Sequence, residues 1–266
     1  MAREGQAARG IQSISVGGRI LQALIDASNP LTLREISQVT DITSAQAHAY
    51  LVSYKRVGMV VQEFDGGPYL LGSLALRLGL GRLRSLSIFR ETNGLLKELS
   101  EELNVMSLLA VWTSKGPSVA MMVQARDKRS DLNIHMGTRF SVLNTATGRI
   151  FGAFDDPARV GPWISSEVAR AQPTHYETDV TSLKSYEALM ATIRKDGISV
   201  VKGVRVPGID AVAVPIFDEN NAFAGALTCI GHADTLDTAK DSACVKTILS
   251  GVSRMSERLL ILDKTA

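Results

Sequence analysis

Pro30-Leu31-Thr32-Leu33-Arg34-Glu35-Ile36-Ser37-Gln38-Val39-Thr40-Asp41-Ile42-Thr43-Ser44-Ala45-Gln46-Ala47-His48 is the stretch on which the fold turns. Thr32 to Glu35 has the S/T-x-x-E form of a capping box, in which two side chains satisfy each other's orphan backbone N–H groups. Ile36 and Val39 then give a short second helix its apolar face. Thr40-Asp41-Ile42 reads as a tight turn, and Thr43 or Ser44 can cap a third helix running to about Val57. Gly58 closes that helix at C′, where a left-handed residue is favoured.

Upstream, Ile20, Leu21, Leu24 and Ile25 recur at helical spacing and stop before Asn29-Pro30, a first helix of roughly three turns. Downstream, the β-branched segment Met59–Glu63, the turn Asp65-Gly66-Gly67 and the segment Tyr69-Leu70-Leu71 read as a hairpin. Three helices and a hairpin form a winged helix-turn-helix over residues 1–72, whose reading helix, residues 44–56, fits the DNA major groove. Ala47, Leu51 and Tyr54 should face inward; Ser44, Gln46, His48, Lys55 and Arg56 should face outward. Gln pairs bidentately with adenine, Ser reaches bases or phosphates, and Lys55 and Arg56 suit the phosphate backbone. Thr32 and Arg34, Thr43, and the wing glycines Gly66 and Gly67 complete the candidate DNA-contact set. The competing reading is a protein-interaction module of the same shape, with His48 an ordinary surface histidine.

Charge divides the chain in the same place. Residues 1–90 carry ten Lys/Arg against six Asp/Glu, whereas the remainder carries nineteen against twenty-one. Arg77, Arg82, Arg84 and Arg90 fall in a stretch without an acid. A basic end beside an acidic remainder fits a DNA reader attached to something else, although solvated helix faces give the same bias.

Leu74, Leu76, Leu78, Leu80 and Leu83 make a leucine-rich, basic connector, which reads as a linker helix over residues 73–90. A longer helix should follow from about Ser85 to Leu103 with Leu86, Phe89, Leu96, Leu99 and Leu103 inward. Beyond it, Val105–Trp112 and Ser118–Gln124 should pair across the turn Ser114–Pro117, and Leu132–Met136 should add a short strand. Helices are expected at Thr145–Phe154, Tyr186–Lys195 and Ser242–Leu262, and strands at Ile198–Val201, Ile209–Phe217 and Phe223–Ile230. The fold class is α+β: strands covered by helices make residues 91–266 a sensor-like domain.

Chemistry-bearing motifs are scarce. There is no HExxH, GxSxG, P-loop or strand-linked GxGxxG, so an enzyme is not expected; Asp155-Asp156 before Pro157 reads as a turn or helix cap at least as well as an acid/base pair. Cys229 and Cys244 lack CxxC spacing and a histidine cluster, which argues against a disulfide framework or zinc site, and no metal or cofactor is expected. Cys229 reads as a small buried hydrophobe, and Met106, Met121 and Met122 as core fillers. No apolar run approaches the roughly 18–20 residues that span a bilayer, and MAREGQAARG holds no apolar signal segment. A cytoplasmic protein without membrane partners is expected.

Several segments together resemble the IclR family of bacterial transcription regulators over almost the whole chain. Pro30–Ile36 looks like that family's second-helix start, and Tyr69-Leu70-Leu71-Gly72 like its wing exit. Gly137-Thr138-Arg139-Phe140 leading to Thr145-Ala146-Thr147-Gly148-Arg149 resembles its loop-and-helix segment. Gly208-Ile209-Asp210-Ala211-Val212-Ala213-Val214-Pro215-Ile216-Phe217-Asp218, followed by Gly225-Ala226-Leu227-Thr228, is the most specific. The resemblance implies a winged helix-turn-helix, a linker helix and a GAF-like effector-binding domain. It also implies a homodimer or tetramer that binds double-stranded operator DNA and answers a small-molecule effector, controlling catabolic or related genes.

It further implies an effector pocket at Ala146, Thr147, Ala211, Thr228 and Ile230. By position Leu132 and Ile134 should face that pocket, with Asn144 among its polar members. Such a mostly apolar lining with few polar anchors favours an aromatic or other flat carboxylate. The competing reading is that these are core residues. The chain departs from the family at Ser44 and Ala49, where a Lys near the start of the reading helix and an Arg in its middle are common. Leu143 stands where a His is common, and Asn144 and Thr147 replace smaller or apolar residues. The Ser44 and Ala49 departures keep open an alternative, an oligomeric ligand-binding protein that has lost specific DNA reading.

Overall fold

The computed structural model describes residues 11–27, 29–84, 87–126, 132–170, 180, 182–203, 206–218 and 220–263. They fall into two compact units that divide between residues 86 and 87.

The first unit opens with α1 (Gln12–Asp26), longer than the three turns expected because Ser13, Ser15, Gly17 and Gly18 hide the helical period at its start. α2 (Leu33–Thr40) carries the expected capping box: Thr32 Oγ1 accepts from Glu35 N while Glu35 Oε2 accepts from Thr32 N at 2.7 Å. α3 (Ser44–Val57) ends at Gly58, whose φ of +77° is the left-handed conformation that glycine adopts without a Cβ penalty. β1 (Val60–Gln62) and β2 (Tyr69–Leu71) pair antiparallel with Val60 opposite Leu71. Ile20, Leu24, Ile36, Ala47, Leu51, Val60 and Tyr69 form one core, with Tyr54, expected inward, only partly buried against it. The leucine-rich connector is α4 (Ser73–Arg84), and Leu76, Leu78 and Leu80 are exposed on it.

The second unit begins with α5 (Ser87–Leu103), and the middle of the expected linker helix over 73–90, residues 85 and 86, lies outside the described residues. The expected start at Ser85 and the inward position Leu86 lie outside the described residues, while Phe89, Leu96 and Leu99 are buried as expected. β3 (Met106–Thr113), β4 (Gly116–Val123), β5 (Ser199–Lys202), β6 (Ile209–Phe217) and β7 (Phe223–His232) build an antiparallel sheet in the order β4-β3-β7-β6-β5. The turn between β3 and β4 is only Ser114-Lys115; Gly116 and Pro117 already pair with Thr113 and Trp112.

Helices cover both faces. α5 and α9 (Ala243–Asp263) pack together on one, where Ser107 donates to the Leu96 carbonyl at 2.6 Å. The other carries α6 (Ala146–Phe154), which packs against α8 (Leu183–Asp196). There Phe151 meets Phe223 edge-on at 5.2 Å and Trp112 at 5.8 Å.

Two elements differ from expectation. Residues 132–136 form no strand. Gly137 instead turns the chain with φ +85°, and the edge of β4 is satisfied by the next few residues. Gly137 N donates to Val119 O, Val119 N to Thr138 O, and Phe140 N to Pro117 O, all at 2.8–3.0 Å. A helix the periodicity did not reveal, α7 (Pro157–Arg170), follows α6. Proline suits its first position, where the missing N–H would be unpartnered in any case. Pro162 inside it and the sparse apolar spacing conceal the rest. Asp156 Oδ1 accepts from Ala158 N at 2.9 Å as this helix starts, and Asp155 pairs with Arg159, so the acidic doublet has structural work.

Cys229 is fully buried on β7, and burial pushes its thiol up to about 12. Thiolate is the reactive form, so Cys229 should be inert and the part-exposed Cys244 should react. Titration with a chromogenic disulfide is expected to release one equivalent quickly from native protein and two after denaturation. Two rapid equivalents from the native chain would contradict this placement.

Candidate effector pocket and DNA-reading face

On the first unit, α3 buries Ala47 and Leu51 and leaves Ser44, Gln46, His48, Lys55 and Arg56 exposed. Gln46 is partly committed: its Oε1 accepts from Thr43 N and Thr43 Oγ1, both at 3.3 Å, while Thr43 Oγ1 accepts from Gln46 N. The Gln46 amide nitrogen is therefore the end left for an outside acceptor. Thr32 is engaged likewise with Glu35, and the Thr32 N–H, then its hydroxyl, hold the Glu35 carboxyl below its ordinary range. Arg34, which immediately precedes Glu35, is exposed.

Lys55 Nζ donates to Gln62 Oε1 at 2.5 Å, and Gln62 Nε2 donates to the Gly67 carbonyl at 2.6 Å. This chain of bonds ties the end of the reading helix to the wing. Gly66, at φ +78°, is exposed at the wing tip. Gly67 corrects the expectation: it is buried beneath the Phe64 ring and offers no surface. The wing's exposed charged side chains are Glu63 and Asp65, both acidic, a feature the glycine pattern drew attention away from. Phosphate attraction in this unit thus falls to cations on its helices.

In the second unit a cavity of about 300 Å³ opens at the N-terminal end of α6. Seven of the eight expected effector residues line it: Leu132 and Ile134, Asn144, Ala146 and Thr147, and Ala211 and Ile230. Sheet register explains the grouping. Val201, Ala211, Ile230 and Met106 lie side by side across β5, β6, β7 and β3, and the first three form the pocket wall. Thr228 lies one row further along, opposite Ala213 and Leu108 and beneath α6. It therefore does not line the cavity but bonds Thr147 Oγ1 from below at 2.8 Å. Thr228 supports a lining residue rather than being one.

The sequence reading missed the other wall, which includes Thr138, Arg139, Phe140, Ser141 and Thr145. This wall is braced from α7, the unforeseen helix. Glu167 pairs with Arg139, and its Oε2 accepts from Ser141 Oγ at 2.6 Å and Leu143 N at 3.3 Å. The Arg139 guanidinium also lies 4.9 Å over the Trp163 ring, one turn before Glu167 on α7. Beneath the loop Arg149, buried within α6, donates through Nε to the Leu143 carbonyl at 2.6 Å. A single carboxylate and a buried cation thus fix residues 139–145.

The polar inventory of the cavity is specific. Ser141 donates to Glu167 and Thr145 to the Ser141 carbonyl at 2.6 Å, so neither hydroxyl proton is available to a ligand. The first amides of α6, Ala146 and Thr147, have no intrahelical acceptor and sit at the positive end of the helix dipole. An anion placed there meets two N–H groups of the kind that bind carboxylates. Asn144 Oδ1 is buried without a hydrogen-bond partner. No helix among the described residues is long and apolar enough to cross a membrane.

Comparison with known proteins agrees with both units. The profile of the IclR helix-turn-helix domain matches residues 13–63, and that of the bacterial transcriptional regulator IclR C-terminal domain matches residues 81–257. The chain is 24% identical over 244 residues to the Pca regulon regulatory protein of Pseudomonas putida, covering 91% of this chain and 81% of that one. Among solved structures, a putative IclR transcriptional regulator from Silicibacter sp. TM1040 superposes with a TM-score of 0.79 at 18% identity, over 93% of this chain and 96% of its own. An IclR homolog from Microbacterium hydrocarbonoxydans, complexed with 4-hydroxybenzoate, gives a TM-score of 0.72 at 17% identity, over 93% and 98%. A helix-turn-helix with capped reading helix, joined to a sheet domain with a cavity at a helix N-terminus, and matched by both profiles in order, makes this chain a member of the IclR family of bacterial transcriptional regulators.

Proposed function

We propose that the chain is a homo-oligomeric regulator whose DNA affinity is set by a small aromatic carboxylate held in the α6 cavity. The observation that carries this reading is the pairing of two features in one cavity of about 300 Å³: amides at a helix N-terminus, and apolar walls from Leu132, Ile134, Ala211 and Ile230. The volume suits one ring with its substituents, since small-molecule sites begin at about 300 Å³. A carboxylate at the N-terminus of α6 leaves the ring against the sheet. The 4-hydroxybenzoate bound by the Microbacterium homolog and the relative named for the Pca regulon point to the same ligand class.

DNA reading is assigned to α3, with Ser44, Gln46 and His48 toward base edges and Lys55 and Arg56 toward phosphates. The effector acts by shifting a population. It can change operator affinity only by as much as its own affinity differs between the DNA-competent and DNA-incompetent arrangements.

The test is fluorescence anisotropy on labelled duplex from immediately upstream of the protein's own gene, beside scrambled duplex, at two salt concentrations. Binding confined to the upstream duplex, and shifted by saturating 4-hydroxybenzoate or a related benzoate, is the expected result. Equal and steeply salt-dependent binding to both duplexes would reduce the interaction to backbone electrostatics. Effector binding without any DNA binding would favour an oligomeric ligand-binding protein that has lost DNA reading.

A further inference from the structure

We propose that the cleft between α1 and α3 holds a backbone phosphate of the operator, with Arg19 as its cation. This rests on the DNA-reading assignment above and extends it to a contact outside the reading helix. The cleft, of about 430 Å³, is walled by Ser13, Val16 and Arg19 of α1, by Asp41 in the turn, and by Gln46 and Tyr50 of α3. Gly17 lets α1 lie close against the side chains of α3. A Cβ there would fall 2.1 Å from Tyr54 Oη and 3.5 Å from Tyr50 Cδ1. Arg19 is exposed and has no ion-pair partner among the described residues.

The side of α3 on which the cleft opens decides what it meets. Gln46 and Tyr50, one turn apart, share a flank, and His48, about 200° around the helix from either, lies on the opposite flank. Lys55 follows His48 by two full turns, so it returns to the His48 flank, where it bonds Gln62 of the wing. A helix seated in the major groove, about 12 Å wide, has a phosphate backbone along each flank. Lys55 serves the backbone on the wing side. On the cleft side α3 has no such residue, since its only Lys and Arg are Lys55 and Arg56 in the last turn. Arg56 lies about 15 Å further along the axis than Gln46. Arg19 supplies the charge for this second backbone from the neighbouring helix. The lack of a cation at Ser44 and Ala49 therefore does not leave the start of α3 without phosphate attraction. A phosphate in the cleft also meets Gln46, whose amide nitrogen its cap leaves unused, so it sits beside the bases that α3 reads. Asp41 is the acid that lines the cleft, and it opposes the same anion.

The experiment is fluorescence anisotropy of the full-length protein on the upstream and scrambled duplexes across a salt series. It is repeated on Arg19→Ala, Arg19→Gln, Arg19→Lys and Asp41→Asn. Each neutralised phosphate steepens the fall of log affinity with log salt by about 0.9. Arg19→Ala should weaken binding to both duplexes by about tenfold at low salt and flatten that slope by about one. Arg19→Lys keeps the point charge and should keep the slope. Asp41→Asn fits the same left-handed backbone and should tighten binding to both duplexes about twofold. Melting curves establish that each variant is folded, and Arg19→Gln carries the test if the alanine variant is not. An unchanged slope in the folded neutral variant, or an equal flattening in Arg19→Lys, overturns the phosphate contact while leaving α3 as the reader. Weakening confined to the upstream duplex does the same, because a phosphate contact carries no sequence information. An Asp41→Asn variant that binds no more tightly than wild type overturns the placement in this cleft. Failure of the wild type to bind either duplex overturns the DNA-reading assignment and this inference together.

Discussion

Gly148→Ala is expected to destabilise the second unit by about 3 kcal/mol and to weaken effector binding by more than about tenfold. In an isolated helix the change would stabilise, since alanine is favoured over glycine by about 1 kcal/mol. Here the second position after the start of α6 faces the back of its own pocket loop. A Cβ at Gly148 would lie 2.0 Å from the Ser141 carbonyl oxygen, 2.6 Å from its carbon and 2.7 Å from Val142 Cα. All three are backbone atoms, so no rotamer change relieves the clash. The Ser141 carbonyl also accepts the Thr145 hydroxyl, and the Ser141 side chain is tied to Glu167. Moving the loop outward therefore breaks the cap and the brace together, and displaces Asn144 and the α6 amides from the cavity. Thermal denaturation and benzoate titration of the variant check this. An unchanged or raised melting temperature would mean that the loop yields freely and that the brace carries no energetic weight.

The sequence disclosed the first unit well because its signals are local. Thr32 and Glu35 form the capping box as read, and Gly58 closes α3 as read. Of the two candidate caps Thr43 and Ser44 it is Thr43 that caps α3, in a box with Gln46 that the sequence reading did not name. Most pocket residues were accessible through resemblance, since the α6 start and the β6 strand lie in recognisable segments. The exceptions share a cause. Thr228 lies under α6 rather than in the pocket because of a one-row offset in the sheet, and register between β6 and β7 is not written in either strand alone. Gly67 reads as an exposed turn residue, yet the Phe64 ring folds over it, a contact that depends on a side-chain rotamer.

Glu167 was invisible for a different reason. It sits on α7, where Pro157, Pro162 and few apolar residues mask the helical period, and its partners Arg139 and Leu143 are more than twenty residues away. Glu167 owes its role to what it bonds in three dimensions, and its identity alone offers no signal.

Leu51→Ala is expected to abolish DNA binding while leaving effector affinity within about twofold of wild type. Leu51 is fully buried at the centre of the first unit, on the inner face of the reading helix with Ile20, Ile36 and Val60 around it. Truncating a buried leucine costs about 3 kcal/mol through lost transfer energy and the cavity left behind. A unit of this size rarely holds more than about 3–5 kcal/mol of stability, so the variant should leave α3 unfolded or frayed for much of the time. The effector cavity draws its lining only from residues of the second unit, which has its own core around Leu108, Ile150, Phe151 and Ala213. Circular dichroism should accordingly show an early partial loss of helix with the later transition unmoved, and titration with 4-hydroxybenzoate should be unaltered. If effector binding disappears along with DNA binding, the two units fold as one cooperative block. The ligand's influence on DNA would then have to pass through global stability, and not through a shift between two folded arrangements.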